Sequence, residues 1–150
     1  MSARYLMGLD VGGGGGCCLI VNTTTGETCS ASRTWSLTPD RTAGGFAYRM
    51  DPNDLWQTLC EMAREALRRA GVQPGEVAGI AAASMCYTSV VLDRDGSVLL
   101  MAPNRDARAA AQALQLAAEH GDALYHSTGR SLSDPIRWAM ATMSLQAFRS

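Results

Sequence analysis

Residues 5–22 read Tyr5-Leu6-Met7-Gly8-Leu9-Asp10-Val11-Gly12-Gly13-Gly14-Gly15-Gly16-Cys17-Cys18-Leu19-Ile20-Val21-Asn22, and the parsing of this stretch decides the fold. Tyr5–Asp10 is an apolar run closed by an acid and reads as a buried strand. Five glycines follow, then a second apolar run, Cys17–Asn22. A glycine-rich turn after a buried strand suggests phosphate binding, and the type of turn can be tested. The dinucleotide fingerprint needs glycines at i, i+2 and i+5, but counted from Gly12 the last of these is Cys17. The Walker loop ends in Gly-Lys, and this chain has no lysine, all 13 of its basic residues being arginine. Both motifs also open a helix, whereas Cys17–Asn22 reads as strand. What survives is strand, glycine turn, strand, with an aspartate just before the turn.

Successive backbone N–H groups in such a turn can form an anion-binding nest. Asp10 at the strand end can hold Mg²⁺ directly or through water, since Mg²⁺ takes one or two carboxylates and keeps several waters. On the hairpin alone, a plain turn with a surface aspartate fits equally well.

Working outward, Thr23-Thr24-Thr25-Gly26 is a turn and Glu27–Ser36 alternates as a third strand. The connections are too short for helical crossovers, so the three strands form an antiparallel meander. A loop with Pro39, Gly44 and Gly45 leads to a helix over Pro52–Ala70. Asp51 is its N-cap, Pro52 stands at N1, Asp54 lies in the first turn and Gly71 is the C′ stop. Leu55, Leu59, Met62 and Ala66 make its apolar face. Gln73-Pro74-Gly75 turns the chain into a strand, Val77–Ala83, which enters Ser84–Thr88. Ser89–Asp93 and Val98–Met101 form a hairpin across Arg94-Asp95-Gly96. An Ala-rich helix is expected over Ala107–Glu119. A last one begins at Pro135, with Ile136, Met140, Met143 and Ala147 on one face.

Composition narrows the classes. At 150 residues and 47% hydrophobic, the chain suits one domain with a real core rather than a disordered segment. The net charge, 13 − 14 = −1, argues against nucleic acid or an anionic membrane as main partner. With no apolar run long enough to span a bilayer and no signal-peptide core, a cytoplasmic location is the expectation. GC-rich codon usage accounts for the missing lysine, whose absence also excludes a Schiff base. The five cysteines include no C-x-x-C pair and His120 and His126 have no cysteine near them in sequence, so a structural zinc site is not expected. Cys17 and Cys18, adjacent on a strand, point to opposite faces and make no redox pair.

Met7-Gly8-Leu9-Asp10-Val11-Gly12 followed by a small-residue turn resembles the first phosphate motif of the FGGY carbohydrate kinases. Asp51-Pro52-Asn53-Asp54-Leu55-Trp56 is similar to the family's D-P-x-x-x-W helix start. Val77–Ala81 leading into Ser84-Met85-Cys86-Tyr87-Thr88 is similar to its sugar-contact segment, and Ser89–Asp93 to the hairpin after it. Asn104-Arg105-Asp106-Ala107-Arg108-Ala109 resembles the W-x-D-x-R-A box, and Thr128-Gly129 the T-G before the next helix. The matches run in family order along almost the whole chain.

The resemblance implies an α/β, ribonuclease-H-like fold of the actin-like ATPase and sugar kinase superfamily, here as a partial domain. Its mixed sheet would begin with three antiparallel strands. It implies ATP- and Mg²⁺-dependent transfer of the γ-phosphoryl group to a sugar or polyol hydroxyl, catalysed mainly by positioning and charge stabilisation. Asp10 would be the metal-associated carboxylate, Gly12, Gly13 and Gly14 the phosphate turn, and Cys86, Tyr87, Asp106 and Arg108 the substrate residues. Another reading of the last pair is an ion pair capping the helix that follows. Residues 1–150 would be the N-terminal portion of the first kinase domain. The second, nucleotide-binding domain would be absent, and the general-base aspartate would lie beyond residue 150. A homodimer is an expectation for the full-length form.

Departures from the family pattern point to the alternative, a catalytically inactive remnant or a binding module. Cys17 stands where the family carries Lys or Arg, and one lost charge-assisted phosphate bond costs about 1.5–3 kcal/mol. Asn104 replaces the box tryptophan. Cys86-Tyr87 replaces the usual Met-His or Arg-Glu. A third expectation is an interaction domain recruiting a partner through the apolar face of 136–148.

Overall fold

The computed structural model describes residues 5–41, 46–112, 114, 115, 118–120 and 126. The chain divides into two compact units, Met1–Ser36 with Asp51–Met85, and Leu37–Met50 with Cys86–Ser150. The expected helix from Pro135 lies outside the described residues.

The first unit is a four-stranded sheet in the order β3-β2-β1-β6, formed by β1 (Tyr5–Val11), β2 (Gly15–Asn22), β3 (Thr28–Thr34) and β6 (Val77–Ser84). β1–β2 and β2–β3 are antiparallel, and β6 joins β1 in parallel. The meander and the mixed sheet stand as the sequence analysis expected them. Bounds differ chiefly in two strands: β3 is Thr28–Thr34 rather than Glu27–Ser36, and β2 starts at Gly15, so the last two glycines of the run belong to the ladder.

Helix α1 (Pro52–Ala70) is bounded as its caps dictate. The Asp51 carboxylate accepts the N–H groups of Asn53 and Asp54, satisfying two of the free donors of the first turn. Gly71, at φ 66°, closes the other end, with its own N–H and that of Val72 donated back to Arg68 O and Leu67 O. Met62 and Ala66 of α1 enter the core with Met7, Cys18, Ile20, Ala31 and Val72. The α1 face carries the odd residues of β1 and the even residues of β2, so Asp10 and Cys17 belong to the opposite face. β6 is an apolar run on the sheet's free edge, and its Ile80 is 66% exposed.

The second unit contains β4 (Thr38–Pro39) paired with β5 (Tyr48–Arg49), and the hairpin β7 (Ser89–Leu92) with β8 (Val98–Ala102). The β4–β5 ladder replaces the expected loop between the third strand and α1. It is two residues long, too short for any periodicity to register. Helical geometry after β8 begins at Ala110 rather than Ala107. The N–H groups of Ala107 and Arg108 are taken instead by Phe46 O and the Asp106 carboxylate.

Candidate functional site

In the first unit, the site grows from the end of β1. Asp10 faces Cys17 across the antiparallel pair and Ala83 across the parallel one. Its side chain is exposed, at the rim of an open depression of about 570 Å³ lined by Gly8, Leu19, Ser30 and Ala81–Ala83 among others. A lone exposed carboxylate is a hard oxygen donor that suits Mg²⁺, which needs one protein ligand and completes its shell with water and phosphate oxygens. Among the described residues no group of three or more His, Cys, Asp or Glu side chains could hold a metal ion.

The five glycines divide into distinct roles. Gly12 N–H donates to Gly15 O at 2.8 Å, closing a tight hairpin, so it is not available to an anion. Trp35 N–H donates to Gly14 O at 3.1 Å, tying the turn to the residue after β3. Among the described residues the N–H groups of Gly13 and Gly14 form no hydrogen bond. A Cβ on Gly14 would meet nothing within 4 Å, so that position opens outward. A Cβ on Gly16 would sit 2.6 Å from Asp10 O and 2.8 Å from the Trp35 ring, and one on Gly15 2.7 Å from Arg33 O. Gly12, Gly14, Gly15 and Gly16 are not left-handed. At Gly12, Gly15 and Gly16 the backbone packs too closely for a side chain, whereas Gly14 is open, and at none of them is φ unusual. A pair of free N–H groups beside an exposed carboxylate fits a metal-complexed phosphate. No cationic side chain replaces the charge that Cys17 lacks within the turn.

In the second unit, the structure brings Asp106 and Arg108 together and turns both inward. Their side chains are 2% and 14% exposed, and Arg108 grips the carboxylate through Nε and Nη2, at 2.7 Å for the shortest bond. Asp106 also accepts Tyr48 N–H at 2.8 Å, and Arg108 donates to Tyr48 O at 3.2 Å, so the pair completes the free side of β5. Asp40, buried beside them, lies 3.8 Å from Arg108 and 2.6 Å from Arg49. The Asp106 hydrogen bond and the nearby carboxylates push the Arg108 pKa above its usual value, against the opposing effect of burial. The alternative of an ion pair at the start of a helix is thus realised, but buried and tied to β5 rather than exposed.

Cys86 is exposed, and Tyr87 is half-buried with φ 64°, the only described non-glycine residue at positive φ. Such a conformation costs a bulky residue about 1–2 kcal/mol. Tyr48, Asp40 and Arg105 escaped the sequence reading. Arg105 stands at an unassigned position of the W-x-D-x-R-A box, no quoted motif covers Tyr48 or Asp40, and the contact between Tyr48 and Asp106 spans 58 positions.

A glycine hairpin closing β1 onto β2, on a mixed sheet whose fourth strand is parallel to the first, is the arrangement of the actin-like ATPase fold. Residues 5–137 match the FGGY family of carbohydrate kinases, N-terminal domain, and the chain belongs to that family. An autoinducer-2 kinase of Escherichia coli (strain SMS-3-5 / SECEC) is 36% identical over 87 residues, 55% of this chain and 16% of the relative. One from Yersinia pseudotuberculosis is 28% identical over 136 residues, 88% of this chain and 26% of the relative. Among solved structures, gluconate kinase from Lactobacillus acidophilus superposes with TM-score 0.71 at 18% identity, over 85% of this chain and 25% of that one. Xylulose kinase from Rhodospirillum rubrum gives 0.63 at 24% identity, over 77% and 23%. These likenesses show the sugar-kinase fold. The chain spans about a quarter or less of the length of the proteins it matches.

Proposed function

We propose that this chain provides the phosphate-turn part of an ATP-dependent carbohydrate kinase, which transfers the γ-phosphoryl group to a sugar or polyol hydroxyl. The observation that carries the reading is the β1–β2 hairpin: free Gly13 and Gly14 N–H groups next to an exposed Asp10. Bound Mg²⁺ would neutralise charge on the transferring phosphoryl group. Asp10 would hold that ion through a carboxylate oxygen or its waters, and the two glycine N–H groups would orient a phosphate oxygen. Gly12 supports the turn by its bond to Gly15. Cys86 and Tyr87 would face the substrate, and Asp106 with Arg108 would position the segment after β8 from behind. Relatives and structural neighbours carry the names autoinducer-2 kinase, gluconate kinase and xylulose kinase, and a sugar or polyol is the substrate class proposed for this chain. A general-base aspartate, a cytoplasmic location and a homodimer are proposed for the whole kinase.

Calorimetric titration of Mg·ATP into the purified chain tests the reading. The expected result is binding that Asp10→Asn weakens and EDTA abolishes, with no sugar phosphorylation by this chain alone. Absence of binding at millimolar nucleotide favours the second reading, an inactive remnant, which Cys17 motivates by leaving the turn without a cation.

A further inference from the structure

We infer that the turn after β8 is an oxoanion-recognition site, in which Arg105, backed by Asn104, reads a carboxylate or phosphate carried by a polyhydroxylated ligand. The inference rests on the sugar-kinase reading for the polyhydroxylated part of the ligand, and on geometry within one unit for the anion. Asp106 N–H donates to Pro103 O at 2.8 Å, making a tight turn with Asn104 and Arg105 at its corners. Pro103 and Asp106 are buried, whereas Asn104 and Arg105 are exposed. The box therefore folds away the pair expected to meet ligand and presents its two other polar side chains.

The turn is held rigid from behind, because Asp106 is fixed by Arg108 and by Tyr48 N–H. The same Tyr48 supports the front: the Arg105 guanidinium carbon stands 5.4 Å from its ring centroid. An aromatic brace restrains a guanidinium while leaving its N–H fork able to grip an oxoanion in two places. Four other arginines already have carboxylate partners, while Arg33, Arg41, Arg64 and Arg94 have none, so among the described residues it is the Tyr48 ring that sets Arg105 apart. Arg49 meets Asp40, Arg68 and Arg69 meet Glu65, and Arg108 meets Asp106. Arg105 has no carboxylate within ion-pair distance among the described residues. A braced arginine without an anion on a preformed turn is a receptor with its ordering cost already met. The amide of Asn104 supplies both a donor and an acceptor for a neighbouring hydroxyl.

The test is NMR titration of the purified chain, without nucleotide or Mg²⁺, using ribitol, ribonate and ribitol 5-phosphate at low salt. At least one oxoanionic ligand is expected to bind about tenfold or more tightly than ribitol, and the tighter of the two identifies the oxoanion as carboxylate or phosphate. Arg105→Gln should reduce that ligand to the ribitol level and leave ribitol unchanged. Arg105→Lys should recover only part of the preference, since the fork is lost. Thermal melts matching the parent verify that both variants are folded. Equal binding of all three ligands, no binding of any, or a preference that survives Arg105→Gln overturns the inference. Because ATP and Mg²⁺ are left out, failure of nucleotide binding and failure of this site remain separate results.

Discussion

Replacing single glycines of the 12–16 run by alanine should separate the packed positions from the open one. At Gly16 the new methyl would stand 2.6 Å from Asp10 O, 2.8 Å from the Trp35 ring and 3.2 Å from the Met62 methyl. Asp10 O belongs to the middle of a sheet with β2 on one side and β6 on the other, so it cannot withdraw without disturbing both ladders. Overpacking of this kind costs about 1–3 kcal/mol. Against it stands a gain of about 0.4–1 kcal/mol from a less flexible unfolded chain. The net loss is about 1–2 kcal/mol, or roughly 3–8 °C in Tm for a domain of this size. At Gly14 nothing lies within 4 Å and φ is not left-handed. Only the unfolded-state gain remains there, so Gly14→Ala should melt level with the parent or slightly higher. Circular dichroism melts of the two variants side by side give the answer. If Gly16→Ala melts with or above Gly14→Ala, the close approach of strand and turn is wrong.

Other expectations follow from the same coordinates. Asp106→Ala should cost about 3–5 kcal/mol in chemical denaturation, since Arg108 would be left buried without its partner; a loss under about 1 kcal/mol would mean the pair is solvated. Iodoacetamide followed by mass spectrometry should label exposed Cys86 first and Cys18 last, because burial holds the Cys18 thiol protonated by raising its pKa. The Glu65 pKa is lowered by hydrogen bonds from Arg68 and Arg69. Its contribution is therefore present above the usual glutamate range and is lost as pH falls below that range, through the lowered folded-state pKa. Melts of the parent and Glu65→Gln should differ at about pH 6, and the gap should shrink steadily on acidification below the usual glutamate range; a gap that does not shrink at all in acid contradicts the assignment. Tyr87→Gly should relieve the left-handed backbone, and denaturation should show stability unchanged or higher by up to about 1 kcal/mol; a large loss would show that side-chain packing outweighs the strain.

What the sequence disclosed and what it hid follow from the range of the forces involved. The bounds of α1 were legible because Asp51, Pro52 and Gly71 act within one helical turn of themselves. The meander was legible because Gly26 and the glycine run mark short connections between apolar strands. Hidden were contacts between distant positions. Nothing local to Thr38-Pro39-Asp40 or Tyr48 announces that a two-residue ladder forms there, or that Asp106 completes it. The same gap affected the site. The W-x-D-x-R-A likeness singled out the segment 104–109, but which of its side chains turn inward depends on Tyr48, far away in sequence.

The glycine run also changes the significance of Cys17. Cys17 is paired with Asp10 across the strands, on the face opposite the core. A basic side chain there would meet the carboxylate directly, and part of its charge would be spent on Asp10 rather than on phosphate. A thiol leaves Asp10 uncompensated, so its full charge remains for a cation. With Gly12 N–H committed to Gly15, the turn offers an incoming phosphate two backbone donors and no fixed positive charge. On the proposed reading, free phosphate would be a poor ligand for this hairpin, and phosphate already carrying a divalent cation a better one.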